Sequence, residues 1–133
     1  MFIQNVSLAD IKQAWHYDPG ENSLLISIVD TDMDNPVAKY PFKNQLNFKF
    51  LDIEEESPVA ISKQQANDIA QALIQARANK MNVIVHCVAG ICRSGAVTEC
   101  GIILGFDDTE TYRQPNLRVK SLVLNALITL GEL

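Results

Sequence analysis

The run Val83-Ile84-Val85-His86-Cys87-Val88-Ala89-Gly90-Ile91-Cys92-Arg93-Ser94-Gly95 constrains this chain more than any other stretch. Val83, Ile84 and Val85 are uninterrupted and β-branched, the composition of a strand buried on both faces. Gly90 permits a tight turn with its backbone facing inward. From Arg93 to Leu104 the residues are apolar almost all round (Ala96, Val97, Cys100, Ile102, Ile103), which predicts a helix in the interior, and Gly105 suits its C-cap. A buried strand, a tight loop and a buried helix put the loop at the amino end of that helix. There, five successive backbone N–H groups turn toward one point, a concave nest of the kind that binds a phosphate-sized anion.

The rest of the chain builds around this unit. Met1 to Asn5 reads as a short edge strand. Ser7 then caps a helix with Leu8, Ile11, Ala14 and Trp15 on one face. A turn at Asp18-Pro19-Gly20 precedes Ser23 to Val29, apolar enough to be buried on both faces. It runs out into Asp30-Thr31-Asp32-Met33-Asp34-Asn35-Pro36. Residues 37–45 have no clear period and read as loop. Asn47 to Ile53 alternates as a strand ending near Asp52, followed by an acidic loop, Glu54-Glu55-Glu56-Ser57-Pro58. Ser62 and Gln65 form a capping box. Ala66, Ile69, Ala70, Leu73, Ile74 and Arg77 continue it as an amphipathic helix to about Asn79. After the central helix, residues 106–114 form a polar connection. Pro115-Asn116 opens a last helix with Leu117, Leu122, Val123, Leu127 and Leu130 apolar, closing at Gly131.

Strands alternating with helices predict an α/β fold. We expect a small central, mostly parallel sheet of about four strands, flanked by helices on both faces, in a single domain over residues 1–133. Ligands of such sheets bind at the carboxyl ends of the strands. Cys87, Asp52 and Asp30 all fall at such ends.

With a net charge of −5, the surface as a whole repels nucleic acid and anionic membranes, so any anion site is local. No apolar run reaches the ~18 residues of a membrane span. The first residues lack the basic flank and apolar core of a signal peptide. Three cysteines, one of them placed to react, suit a reducing interior. A cytoplasmic monomer without nucleic-acid or membrane partners is the expectation.

The chemistry follows from the residue types. The nest N–H groups, the helix dipole and Arg93 all favour a negatively charged sulfur on Cys87, which makes it a nucleophile. The planar fork of Arg93 can grip two phosphoryl oxygens, which lysine cannot copy. Ser94 can donate a hydrogen bond to the sulfur when the sulfur is a leaving group. Val88, Ala89, Gly90, Ile91 and Cys92, together with Arg93, would line the anion seat.

The segment from His86 to Gly95 resembles the signature loop of the protein tyrosine and dual-specificity phosphatase superfamily, His-Cys-x-x-Gly-x-x-Arg-Ser/Thr. The motif covers about ten residues, and its place late in the chain also fits. The resemblance implies a phosphotyrosine-phosphatase-like fold. It also implies a two-step reaction through a cysteinyl-phosphate on Cys87, with no metal or other cofactor. It further implies a general acid, usually an aspartate a few tens of residues before the nucleophile. Asp52 matches by position, although its surroundings depart from the Trp-Pro-Asp triplet of the tyrosine-specific branch and are nearer the looser dual-specificity loops. Asp30, Asp32, Asp34 and the Glu54–Glu56 run remain alternatives. The expected partner is a phosphorylated protein or a small phosphomonoester. The loop carries no lysine, unlike many phosphoinositide-directed relatives, and a shallow site for phosphotyrosine, with phosphoserine and phosphothreonine beside it, is the reading.

Other residues carry weaker signals. Cys92 directly precedes the arginine, as a second cysteine does in low-molecular-weight tyrosine phosphatases. It is either a resolving partner for oxidised Cys87 or a small filler. His86 reads as a brace for the loop backbone rather than a base. Zinc ligation by His86, Cys87 and Cys92 lacks a fourth ligand. Arg113, Asn116 and Arg118 read as a solvated loop and helix cap, and Trp15 and His16 as packing residues. The rival readings are a rhodanese-like or arsenate-reductase-like enzyme, and a phosphate-reading module that does not turn its ligand over.

Overall fold

The computed structural model describes residues 1–13 and 17–133. In chain order the elements are β1 (Phe2–Val6), α1 (Leu8–Gln13), β2 (Ser23–Val29), β3 (Asn44–Lys49), α2 (Lys63–Ala78), β4 (Asn82–His86), α3 (Arg93–Leu104), β5 (Asp107–Asp108) and α4 (Leu117–Thr129). The strands form one sheet in the order β3-β2-β4-β1-β5, and every neighbouring pair is parallel. The α/β architecture is therefore as expected, with five strands rather than about four.

Two strand placements differ from the sequence reading, each for a physical reason. β1 lies inside the sheet, between β4 and β5, and not at its edge. Its outer neighbour β5 is only Asp107 and Asp108, paired with Phe2 and Ile3 through backbone bonds, and its exposed charged side chains carry no strand signal. β3 begins earlier than expected, because Leu24 to Val29 pair in register with Asn44 to Lys49. Its exposed polar residues suit a sheet edge and hide it from a reading based on alternation. Phe50 still donates to Val29 O (3.0 Å), and Leu51 N then turns to Val59 O (2.8 Å). Asp52 thus sits beyond the strand end and not within it.

The two faces are covered unequally. Ile3, Leu24, Ile26, Ile28, Val83 and Val85 pack on one side against α2, α3 and α4, in a core that also takes in Phe48, Phe50, Leu73, Val97 and Val123. The alternate positions, Val6, Leu25 and Ile84, pack on the other side against Ile11 of α1 and against Tyr17, Ala38 and Phe42. A short helix and an aromatic segment thus do the work of a second helical layer. Ring centroids of Tyr17, Tyr40 and Phe42 lie 5.1 to 6.4 Å apart. Ala14 and Trp15, expected on the face of the first helix, and His16 lie outside the described residues.

Local signals place the helices well. Ser62 and Gln65 form the expected capping box (Oγ to Gln65 N 3.1 Å, Gln65 Oε1 from Ser62 N 2.9 Å). Ser7 caps α1 in the same way with Asp10. Gly105 terminates α3 at φ +120°, a conformation that favours glycine. Gly101 lets α3 press onto the sheet: a Cβ there would fall 2.5 Å from Ile3 Cδ1. Among the described residues, no helix is long and apolar enough to cross a membrane.

Candidate active site

β4 ends at His86, and Cys87 opens the loop with only 2% of its surface exposed. Gly90 turns the loop at φ +76°, and a Cβ on it would lie 2.4 Å from Val6 C and 2.5 Å from Ser7 N. Backbone conformation and close approach therefore both demand glycine. The loop is stitched to three other segments. Leu8 N donates to Val88 O (3.1 Å), Gln114 N to Ile91 O (3.2 Å) and Asn116 N to Cys92 O (3.0 Å). Asn5, fully buried, donates from Nδ2 to Gly90 O (2.8 Å) and to Tyr112 O (2.9 Å). A loop held at so many points is rigid before any ligand arrives.

Around the sulfur, Gly90 N–H donates to Cys87 Sγ at 3.3 Å, and Ser94 Oγ lies 3.2 Å away. Cys92 stands at the N-cap of α3 in an αR conformation and makes no capping bond, so the first-turn N–H groups have no side-chain acceptor there. Arg93, 5% exposed, reaches back across the strand ends. Its Nη1 donates to Asp30 Oδ1 (2.7 Å) and to Phe50 O (2.7 Å). Its Nε is buried and has no acceptor.

Asp52 enters from the far side. Its Oδ1 accepts from Asn116 Nδ2 (2.8 Å), and its side chain and Cys92 line one cavity. Burial first, and then the neighbouring Asp52 carboxylate, push the Cys92 thiol above its ordinary pKa, with Arg93 opposing. Asp52, Glu54, Cys92, Gln114, Pro115 and Asn116 line a cavity of about 310 Å³ beside the loop. Cavities of about 360 Å³ and 380 Å³, one along β3 and α2 and one between α2 and α4, include no loop residue.

The fold thus brings together Cys87, Gly90, Cys92, Arg93 and Ser94, with Asp52 next to Cys92 and Asp30 on Arg93. Val88 and Ala89 are exposed and Ile91 is partly so, at the mouth. Asp32 and Asp34 are exposed, the latter 3.8 Å from Lys49. Glu54 accepts from Leu117 N (2.6 Å) at the start of α4, while Glu55 and Glu56 are exposed.

The reading of Arg113, Asn116 and Arg118 as solvated needs correction. Asn116 is 4% exposed; it does cap α4 (Oδ1 from Val119 N, 3.0 Å), yet its amide also holds Asp52 and Ile53 O. Its place after Pro115 marked the cap, but nothing in the sequence marked the second contact. Arg113 is tied to Glu99 and Asp108, and Arg118 donates to Ile61 O. His86 Nδ1 donates to Cys87 O (3.0 Å), the bracing contact expected of it. Its ring also meets Ser27, a contact that no sequence spacing announced.

No protein-family model matches the chain, and no curated protein matches it. Solved structures do. A mouse protein designated a dual specificity phosphatase, in complex with zinc tungstate, matches with a TM-score of 0.55 and 16% identity, over 83% of this chain and 72% of that one. A tyrosine phosphatase of the Orf virus, described as having triple substrate specificity, matches with a TM-score of 0.46 and 19% identity, over 77% of this chain and 55% of that one. The chain shares the parallel α/β fold of the mouse phosphatase.

Proposed function

We propose that this protein is a cysteine-dependent phosphomonoesterase of the protein tyrosine phosphatase superfamily, in its dual-specificity-like branch. The observation that carries the reading is the buried Cys87 sulfur, which accepts from Gly90 N–H and lies 3.2 Å from Ser94 Oγ, in a loop that ends at the buried Arg93 on the first turn of α3. A tetrahedral oxyanion held by the loop N–H groups and the Arg93 guanidinium presents its phosphorus to the sulfur.

Cys87 Sγ attacks phosphorus, and the bond from phosphorus to the leaving oxygen breaks as Asp52 gives that oxygen a proton. The Asp52 carboxylate then takes a proton from water, which attacks the cysteinyl-phosphate. The sulfur–phosphorus bond breaks, and the Ser94 hydroxyl, 3.2 Å from Sγ, stabilises the departing sulfur. Phosphate leaves from the Arg93 seat. Val88, Ala89, Gly90, Ile91 and Cys92 supply the backbone of that seat. The substrate is a phosphorylated protein or a small phosphomonoester. No step in this scheme calls for a metal, and the protein acts as a cytoplasmic monomer.

Hydrolysis of p-nitrophenyl phosphate tests the reading. Wild type turns over, Cys87→Ser abolishes turnover while retaining phosphate binding, and Asp52→Asn slows it. A folded wild type that binds phosphate without turnover would establish the phosphate-reading module instead.

A further inference from the structure

Ser27 of β2 stands opposite His86 of β4, and both are fully buried. Ser27 Oγ lies 2.6 Å from His86 Nε2, while Nδ1 of the same ring lies 3.0 Å from Cys87 O. From the loop after β2, Asn35 Nδ2 lies 3.2 Å from Ser27 O, 3.0 Å from Ser27 Oγ and 3.5 Å from Phe48 O.

The direction of the bonds in this chain follows from three backbone carbonyls: Cys87 O can only accept, which puts the proton of a neutral His86 on Nδ1, and Ser27 O and Phe48 O orient the Asn35 amide. Ser27 O and Phe48 O can only accept, so the amide nitrogen of Asn35 faces them, and it also donates to Ser27 Oγ. The Ser27 hydroxyl hydrogen is then free for His86 Nε2, which must accept it. A neutral ring that accepts at Nε2 carries its proton on Nδ1 and donates it to Cys87 O. Burial holds His86 below its ordinary pKa; the Cys87 carbonyl opposes this, and the nearby Arg93 charge adds to it, in keeping with a neutral ring.

We propose that Asn35 is a positioning residue for Cys87: through Ser27 it locks His86 in the Nδ1–H tautomer, whose proton pins the nucleophile's own carbonyl where strand becomes loop. The surface loop after β2 then touches the site twice, since its first residue, Asp30, holds Arg93. One short segment sets both the nucleophile and the oxyanion clamp. The activity consequence rests on the phosphatase reading; the ring state does not.

The test is nitrogen-15 NMR of the His86 ring in the full chain, beside turnover of p-nitrophenyl phosphate. Wild type is expected as the Nδ1–H tautomer. Asn35→Asp is nearly isosteric but can only accept, so the Ser27 hydroxyl turns toward it and His86 Nε2 loses its donor. The ring then leaves the pure Nδ1–H state, and kcat/KM falls by about tenfold, the worth of one buried hydrogen bond. Asn35→Ala, which removes a donor without reversing polarity, does less. Ser27→Thr keeps the hydroxyl that donates to Nε2, whereas Ser27→Ala removes it and leaves the ring held by Cys87 O alone, so kcat/KM falls in the alanine and not in the threonine, and the serine pair decides should Asn35→Asp fail to fold. An Nε2–H ring in wild type, an unchanged ring state in Asn35→Asp, undiminished turnover in Ser27→Ala beside an active wild type, or an Asn35→Ala worse than the aspartate would each overturn the proposal. Absent wild-type turnover would count against the phosphatase reading alone, with the tautomer still deciding the relay.

Discussion

Asp30 Oδ1 and Arg93 Nη1 lie 2.7 Å apart, and the same nitrogen also donates to Phe50 O. Both acceptors take one corner of the guanidinium and leave Nε, buried and unpaired, turned elsewhere. Asp30 is thereby engaged as a holder of the clamp, which weighs against its use as the general acid. Because its side chain is 37% exposed, its worth lies in orienting Arg93 rather than in the stability of an ion pair. Asp30→Ala is expected to raise KM for p-nitrophenyl phosphate and weaken inhibition by phosphate, each by about tenfold, with a smaller change in kcat. An equal fall in kcat with KM unmoved would assign Asp30 to the chemical step instead.

Gly90 offers a sharper structural test. With φ at +76° and Val6 C 2.4 Å from any added Cβ, alanine meets strain and overlap together. Gly90→Ala is expected to cost about 3 kcal/mol or more. For a domain of this size that lowers Tm by roughly 10 °C. Calorimetry checks it, and a Tm within 2–3 °C of wild type, on the same order-of-magnitude scale, would mean the loop does not press on β1.

Much of this was legible in the sequence, and the parts that were not share a cause. The β4–loop–α3 unit reads directly, because burial on both faces of a strand and all round a helix leaves an unmistakable apolar pattern in Val83, Ile84, Val85 and Ala96 to Cys100. β3 and β5 escaped because edge strands hold by backbone bonds and carry polar side chains such as Asn44, Asn47 and Asp107. Ser27, Asn35 and Asn116 escaped for a related reason. Their function lies in partners 59, 8 and 64 residues away, and a lone Ser or Asn reads the same whether it caps, turns or braces.

Asn116 has two tasks that substitution can separate. Its Oδ1 caps α4 and its amide holds Asp52. Asn116→Ser keeps a good cap and loses the reach to Asp52, so stability should stay within about 0.5 kcal/mol while turnover of substrates with poor leaving groups falls. Asn116→Ala loses both, adding about 1 kcal/mol of destabilisation. Denaturant midpoints read the first effect, and kcat across a series of aryl phosphates reads the second. A serine variant with wild-type kcat throughout would show that Asp52 needs no support from α4, or is not the acid.

Stability should also depend on pH through His86. Burial holds its folded pKa below the ordinary value near 6.5, so the unfolded chain takes up a proton that the folded one refuses. The sign follows: stability is flat above about pH 6.5 and falls as pH drops through that value, by up to about 1.4 kcal/mol per unit, until the folded ring itself protonates. The carboxylates held low, such as Glu99 by Lys120, contribute only at lower pH, so the window from pH 7.5 to 5.5 is that of the two histidines, and comparison with His86→Gln separates His86 from His16. Urea midpoints across that window should fall for wild type and stay nearly level for His86→Gln, which cannot titrate. Parallel slopes for the two proteins would place the titrating group elsewhere and remove the case for a neutral His86 behind the nucleophile.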